Sequence, residues 1–202
     1  MSKPKAMAEE NEAELIAGLQ RGEEVAFGLL VQRYQGQVFR LVFRLLGDYA
    51  EAEDVAQEVF VAVFKAVERF RGDSRLSTWL YRIATNHAKN RLEYLARRGR
   101  NERRVYDERI DPQSISTNTT ARIDQPDRLV EGYQAEHLIT TALASLDPDQ
   151  RLLIVLRDLE QLSYEEVQRI TGLPIGTVKS RLHRARAALF QSFRQLQEEQ
   201  AP

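Results

Sequence analysis

The stretch that decides the fold is SYEEVQRITGLPIGTVKSRLHRARAAL, which runs from Ser163 to Leu189. Ser163 followed three residues later by Glu166 forms a capping box, which marks a helix start because each residue's side chain bonds the other's backbone N–H. Gly172 then supplies a stop signal, and Pro174 opens the next helix. The order of these signals predicts a short helix, a tight turn and a longer helix.

The longer of these helices has an apolar face and a basic face. Apolar residues recur at steps of three and four, namely Ile175, Val178, Leu182, Ala185, Leu189 and Phe193. The opposite face carries Lys179, Ser180, His183, Arg184 and Arg186. Between Val167 and Gln197 there are Lys179, five arginines and no acid, whereas a merely solvated helix usually mixes both signs. An apolar back and a basic front are typical of a helix that enters the major groove of DNA, so DNA binding is favoured over plain solvation.

The bulk composition excludes several classes of function. The 202 residues suffice for two small cores, and a net charge of −1 means that any basic surface is local. Cysteine is absent, which removes disulfides and thiol catalysis, and the three histidines lack the spacing of a metal site. No apolar run approaches the roughly 20 residues of a membrane span, and the amino terminus lacks a signal-peptide core. We expect a soluble cytoplasmic protein without cofactor or metal.

The first half of the chain reads as helices behind a disordered lead-in of residues 1–12. Helices are predicted from about Ala13 to Gln20, from Glu24 to Leu46 and from Ala50 to Phe70, with apolar stripes on the longer two. A short turn at Gly47 makes the second and third helices antiparallel neighbours. No sustained period-two alternation occurs, so the prediction is an all-α bundle.

The third helix opens with the acids Asp48, Glu51, Glu53, Asp54 and Glu58, and its first basic residue is Lys65. The helix macrodipole favours acids in a first turn, which explains Asp48 and Glu51 better than Glu58. Composition alone therefore leaves two interpretations open, namely helix stabilisation and a docking surface for a basic partner.

Residues 70–100, FRGDSRLSTWLYRIATNHAKNRLEYLARRGR, combine a small polar loop with a helix that starts near Ser74 or Leu76. The buried side of this helix can be supplied by Leu76, Trp79, Leu80, Ile83 and Leu92. Its other side is polar and basic, with Arg82, Asn86, Lys89, Asn90, Arg97, Arg98 and Arg100. Trp79, the only tryptophan, stands beside the loop. It is either an ordinary core aromatic or a platform on which unstacked bases of a single strand lie.

The helical pattern collapses from about residue 101 to 128, where the chain is polar and interrupted by proline. Such a segment cannot bury enough surface to fold alone, so it predicts a flexible linker between two independently mobile domains. The second domain begins near Leu129 with one helix to about residue 145. Asp147 and Pro148, with Gln150 as N3 partner, then start another helix that leads into the helix-turn-helix.

LSYEEVQRITGLPIGTVKSRLHRAR closely resembles the last conserved region of bacterial extracytoplasmic-function sigma factors, the small two-domain promoter-specificity subunits of RNA polymerase. EDVAQEVF and FRGDS…TWLYRIA resemble other segments of that family, in the same order, so the resemblance spans about Glu14 to Phe193. It implies sigma region 2 over 13–100, a flexible linker over 101–128 and sigma region 4 over 129–202. Gln168 departs from the family pattern, because a small residue usually stands there against the second helix, and it predicts unusual packing between the two helices.

The resemblance implies three sets of site residues. Those that read the upstream (−35) promoter element are Thr177, Lys179, Ser180, Arg181, His183 and Arg184. Those that melt and hold the downstream (−10) element are Arg71, Gly72, Asp73, Ser74, Leu76, Trp79, Arg82, Asn86, Lys89 and Asn90. Those that dock on the clamp helices of the largest polymerase subunit are Asp54, Gln57 and Glu58.

The partners implied are core RNA polymerase, promoter DNA both as duplex and as melted non-template strand, and an anti-sigma factor, possibly membrane-bound. A free-standing helix-turn-helix repressor or activator explains the carboxy-terminal half equally well. It gives no role to the acidic segment or to FRGDS…TWLYRIA. An enzyme is the weakest alternative, since the sequence has no glycine-rich phosphate loop, nucleophile motif or metal cluster.

Overall fold

The computed structural model describes residues 3–107 and 139–200, with side chains over 12–98, 139–196 and at 198. Within these ranges the chain is helical and contains no strand, which confirms the all-α prediction. The helices are α1 (Lys3–Gln20), α2 (Glu24–Leu46), α3 (Tyr49–Ala66), α4 (Leu76–Asp107), α5 (139–144 in the described part), α6 (Pro148–Ile154), α7 (Tyr164–Thr171) and α8 (Ile175–Gln200). A 3-10 turn at Val67–Arg69 follows α3, and a π turn at Val155–Leu159 follows α6.

The first domain is a bundle of α2, α3 and α4, with α1 against α2 and the 3-10 turn. Its core is aliphatic and includes Leu30, Val38, Leu41, Val55, Val59, Val63, Leu80 and Ala84, all fully buried. The predicted bounds of α2 are confirmed, and Gly47 ends this helix at a φ of 76° that favours glycine. Asp48 begins α3 by accepting a hydrogen bond of 2.9 Å from the backbone N–H of Glu51.

Two predicted boundaries in this domain differ from the structure. Helix α1 begins at Lys3 rather than at Ala13, and therefore includes most of the segment expected to be a disordered lead-in. The third helix ends at Ala66 because the chain tightens into the 3-10 turn, which delivers Phe70 to the core in extended conformation.

The second domain packs α6, the π turn, α7 and α8 around one small core. The capping box is confirmed: the Glu166 N–H donates to Ser163 Oγ at 3.2 Å, and the Ser163 N–H donates to Glu166 Oε2 at 2.8 Å. Gly172 ends α7 at a φ of 72°, and the Pro174 carbonyl accepts the first bond of α8. Val178, Leu182 and Ala185 are buried, as the apolar stripe predicted.

The π turn aims two acids in different directions. The Glu160 N–H donates to the Val155 carbonyl five residues earlier, which widens the helix by one residue. Asp158 then bonds Arg186 of α8, whereas Glu160 reaches the first domain. Gln161 follows at a φ of 55°, a left-handed conformation that costs a non-glycine residue about 1 kcal/mol.

The two domains lie against each other in this structure. Arg151, a buried residue of α6, donates to the Leu45 carbonyl of α2 at 2.6 Å and to the Ala144 carbonyl of its own domain at 2.7 Å. Helix α4 continues to Asp107, so the first residues of the predicted linker are helical. The remainder of that linker and the first residues assigned to the second domain lie outside the described residues.

Candidate nucleic-acid interface

A cavity of about 410 Å³ lies where the FRGDS loop meets the start of α4. Among the predicted downstream residues it brings together Arg71, Asp73, Ser74, Trp79 and Arg82, which line its wall. Trp79 is half-buried, with its ring centroid 5.1 Å from that of Phe70 and one side towards the cavity. The indole is therefore both a core aromatic and an accessible face, so the two interpretations left open by the sequence are compatible.

The polar side of α4 continues from this cavity. Asn86, Lys89 and Asn90 are exposed along the same helix, beyond the cavity wall. Gly72 stands in the loop at a φ of 74°, where a side chain would strain the backbone. The loop, the cavity and the α4 side form a basic surface with one aromatic platform, which is the chemistry that binds single-stranded nucleic acid.

The structure corrects the prediction for Leu76. Its side chain is fully buried in the core, and its backbone N–H donates to Glu12 Oε1 at 2.8 Å. Leu76 therefore begins α4 and anchors it, and no face of its side chain is available to a base in this arrangement. Sequence reasoning also missed Arg69, Thr78 and Arg169, which line the cavity.

On α8, the side chains of Lys179, Ser180, His183 and Arg184 are exposed, whereas those of Thr177 and Arg181 are partly covered. Lys179 Nζ lies 5.2 Å from the centroid of the Tyr164 ring, a cation–π contact that holds it beside α7. Ser180 Oγ donates to the Thr177 carbonyl at 3.1 Å. The helix therefore presents a short basic row to solvent in the geometry of a helix-turn-helix.

Some basic side chains of α8 are paired with acids, although the sequence from Val167 to Gln197 contains none. Arg186 Nε and Nη2 donate to the two carboxylate oxygens of Asp158, at 2.9 and 2.6 Å. The hydrogen bond to Asp158 raises the pKa of Arg186. Arg181 lies 3.9 Å from Asp149, while within the described residues Arg184 has no partner. The acids come from α6 and the π turn, so Arg186 is engaged within the fold, unlike Arg184.

The departure at Gln168 has no effect on packing between α7 and α8, because its side chain is exposed. The expectation of unusual packing there is wrong. The core contacts of α7 come instead from Val167 and Ile170, which are buried.

The predicted docking residues Asp54, Gln57 and Glu58 line one shallow groove on α3, together with Val61, Ala62, Lys65 and His87. Glu58 Oε1 accepts a hydrogen bond of 2.7 Å from Arg91, which also binds Glu51. Glu58 is thus partly engaged within the chain, whereas Asp54 is exposed without a partner among the described residues.

Large apolar side chains are exposed on α2 and α3, one of them (Val61) in this groove, and sequence reasoning missed them. Val61 and Phe64 of α3 are 54% and 59% exposed, and Val25 of α2 is 76% exposed. The Phe64 ring contacts Phe27 of α2 at a centroid distance of 5.0 Å. Apolar area beside free carboxylates is typical of a protein-docking surface rather than of a solvated helix.

The comparisons with known proteins match both halves of the chain. The model of sigma-70 region 2 matches residues 30–99, and that of sigma-70, region 4 matches residues 136–189. The chain is 37% identical over 187 residues to the RNA polymerase sigma-H factor of Pseudomonas aeruginosa, covering 91% of this chain and 94% of that protein. It is 39% identical over 176 residues to the ECF RNA polymerase sigma-E factor of Escherichia coli K12, covering 87% and 90%.

Solved structures agree on the fold. CnrH, in complex with the cytosolic domain of CnrY, is 25% identical with a TM-score of 0.63, and the match covers 94% of this chain and 99% of that one. The sigma factor RpoE of Bartonella quintana, in complex with the anti-sigma factor NepR, matches at 24% identity and a TM-score of 0.59, over 83% and 96%. In the part of this chain that the structure describes, no helix has the length and apolar character needed to span a bilayer. By its two matched regions and its relatives, the chain belongs to the extracytoplasmic-function sigma factors of RNA polymerase.

Proposed function

We propose that three surfaces of this sigma factor divide the work of promoter recognition. The groove on α3 docks on core RNA polymerase, the exposed row on α8 reads the upstream element as duplex, and the cavity at the start of α4 takes the melted non-template strand of the downstream element. Nucleotide addition belongs to the core enzyme, so the chain itself catalyses nothing.

One observation supports this proposal above the others. The half-buried Trp79 stands in a cavity lined by four arginines, and the polar residues of α4 extend from it. A duplex-reading regulator has no use for an aromatic platform of this kind, whereas a strand opened at a promoter exposes bases that stack on it.

An anti-sigma factor is part of the proposal. The solved structure of CnrH holds the cytosolic domain of CnrY, and that of RpoE holds NepR. We infer that a comparable partner, anchored in a membrane or free, binds this chain and competes with polymerase and promoter.

The test is reconstituted transcription with purified chain, bacterial core polymerase and a random promoter library, followed by sequencing of the transcripts. Initiation that depends on this chain and yields a two-part consensus is expected. No specific initiation from any template, with core binding intact, would contradict the proposal.

The Asp54→Arg variant tests the docking groove. We expect its affinity for core polymerase to fall on the order of a hundredfold, because a cation replaces an exposed carboxylate that meets a basic partner. Glu53→Arg is the matched control, since Glu53 is exposed on the same helix but does not line the groove. Undiminished core affinity of the Asp54 variant in a fluorescence-anisotropy titration would show that core polymerase binds another surface of the chain.

A free-standing helix-turn-helix regulator remains a second candidate because the reading face of α8 is exposed while the domains are packed together. Such a regulator binds duplex promoter DNA tightly without polymerase. A sigma factor does so weakly until the core holds it, so a duplex-binding titration with and without core distinguishes the two.

A further inference from the structure

The FRGDS loop is held at its two ends rather than along its length. Among the described residues, Arg71–Ser74 form no hydrogen bond to another element. Ser74 Oγ donates only to the carbonyl of the neighbouring Arg75, at 3.3 Å. A loop without long-range bonds of its own takes its position from the residues that flank it, which here are Phe70 and Leu76.

The first end of the loop is fixed by Gln20, the last residue of α1. Gln20 Nε2 donates to the Phe70 carbonyl at 2.8 Å. Phe70 is 4% exposed, and its ring centroid lies 5.1 Å from that of Trp79. Gln20 therefore holds the backbone of the residue against which the aromatic platform of the cavity rests.

The other end of the loop is fixed by Glu12, also on α1. Helix α4 begins at Leu76, and the first backbone N–H groups of a helix have no partner within it. Arg75, which precedes Leu76, has a side chain without an acceptor, so it cannot cap the helix. Glu12 Oε1 supplies the acceptor, at 2.8 Å from the Leu76 nitrogen. A carboxylate at this position also matches the positive end of the helix dipole.

Helix α1 is seated firmly enough for both contacts to act together. Leu15 and Leu19, which lie between the two polar side chains in sequence, are buried in the core of the first domain. A rise of about 1.5 Å per residue places Glu12 and Gln20 about 12 Å apart along α1. One rigid helix thus contacts the chain both before and after the loop.

We propose that α1 is a clasp for the downstream-element cavity, in which Gln20 and Glu12 are positioning residues that hold the two ends of the FRGDS loop and so pre-form the site for the melted strand. This inference rests on the proposed function of that cavity. Neither residue lines the cavity, so each acts through the loop rather than on DNA. A site that is pre-formed in only a fraction of the chains binds its ligand with an affinity reduced by that fraction.

The first test removes each contact in the full chain bound to core polymerase. Gln20→Met and Glu12→Met keep the approximate length of the side chain but remove the donor and the acceptor, respectively. The probe is the fluorescein-labelled downstream strand selected in the transcription experiment. We expect each variant to bind it about fivefold more weakly in a fluorescence-anisotropy titration. Affinity for core polymerase should stay unchanged, because neither residue lines the groove on α3.

Two further variants separate the cap from its charge. Glu12→Gln keeps an oxygen that accepts from the Leu76 N–H but loses the charge, and it should weaken strand binding less than about twofold. Glu14→Met is the matched control, since Glu14 is exposed on α1 and forms no hydrogen bond among the described residues. It should bind the strand as the parent chain does. Equal weakening by Glu12→Gln and Glu12→Met would overturn the clasp, because charge rather than the cap would then be responsible.

The free chain gives a second readout that does not depend on DNA. Because Trp79 is the only tryptophan, quenching of its fluorescence by acrylamide reports how far the platform is exposed. We expect the quenching constant to rise about twofold in Gln20→Met, since Phe70 is then no longer fixed behind the indole. Glu14→Met should leave it unchanged.

The outcomes separate the clasp from a general effect on stability and from the function of the cavity. If affinity for core polymerase falls in parallel with affinity for the strand, α1 merely stabilises the first domain and the clasp is overturned. Parent affinity for the strand in both Gln20→Met and Glu12→Met overturns the clasp alone. A parent holoenzyme that does not bind the strand overturns the proposed function of the cavity, and the clasp with it.

Discussion

The two surfaces that we propose to contact DNA are built in different ways. The upstream surface consists of side chains on neighbouring turns of α8, which the periodicity of one helix already places side by side. The downstream cavity is assembled from the 3-10 turn, the FRGDS loop, α4 and α7 of the other domain. A surface on one helix can be recognised from spacing alone, whereas an assembled one depends on packing.

The assembled surface should be the more sensitive of the two. We expect Trp79→Ala to reduce initiation by roughly thirtyfold, since one stacked base is worth about 2 kcal/mol. Initiation from a promoter premelted at the downstream element should recover only in part, because the strand still lacks its platform. Reconstituted transcription on duplex and premelted templates measures both.

Trp79→Tyr is the control for packing against Phe70, because it keeps an aromatic ring in contact with the core. It should restore most of the activity. If the Trp79→Ala chain is fully active on duplex templates, Trp79 is only a core aromatic. The downstream cavity is then no more sensitive to mutation than the surface of α8.

Two arginines of α8, one unpaired among the described residues and one paired with Asp158, test which side chains of the upstream surface contact DNA. Arg184→Ala should lower preference for the selected upstream element about tenfold, because one direct contact to a base edge is worth about 1–3 kcal/mol. Arg186→Ala should change it less than about twofold, since Arg186 is held by Asp158 in an exposed pair. Competition between wild-type and scrambled upstream elements measures each, and core affinity should stay constant. Equal losses from both variants would show that Asp158 does not withdraw Arg186 from DNA.

The smallest expected effect concerns the acid that links α7 to the downstream surface. Burial by itself would raise the pKa of Glu166, but hydrogen bonds from Ser163 and Thr78 and the charge of Arg75 outweigh it and lower the pKa below its ordinary value of 4.5. A lowered pKa means that the carboxylate stabilises the fold fully above that ordinary value and loses this effect as pH falls through the folded-state pKa.

We therefore expect the stability difference between the parent chain and Glu166→Gln to shrink as pH falls below 4.5. Urea unfolding at a series of pH values measures the difference. Glu165→Gln, on the exposed side of α7, is the control and should show no such trend. A difference that stays constant with pH would mean that the ionised form of Glu166 is not favoured by its partners.

Local signals predicted the secondary structure and the helix-turn-helix well. The stop at Gly47, the capping box at Ser163 and the apolar stripe of α8 all appear as the sequence indicated. These features depend on residues no more than a few positions apart, which interact whatever the rest of the chain does. The resemblance to sigma factors drew on the same short segments and is confirmed by both matched regions.

Long-range contacts explain where the sequence misled. The window around α8 contains no acid, yet Asp158 lies 28 residues before Arg186 in the chain and binds it in space. That pairing does not follow from spacing, because it depends on which helix faces which. Leu76 is a different case: the resemblance assigned it to the promoter strand, whereas its apolar spacing with Leu80 already placed it on the buried side of α4, where the structure has it.

By itself, the sequence determined that the described parts of this chain are helical without strands, where several of its helices begin and end, and that α7 and α8 form a helix-turn-helix. Only the tertiary structure decided which arginines are free, that Trp79 faces a cavity, and that Glu160 joins the two domains. The physical reason is range. Caps and stripes are satisfied within a few turns of one helix, whereas ion pairs and cavities arise where residues distant in the chain are packed together.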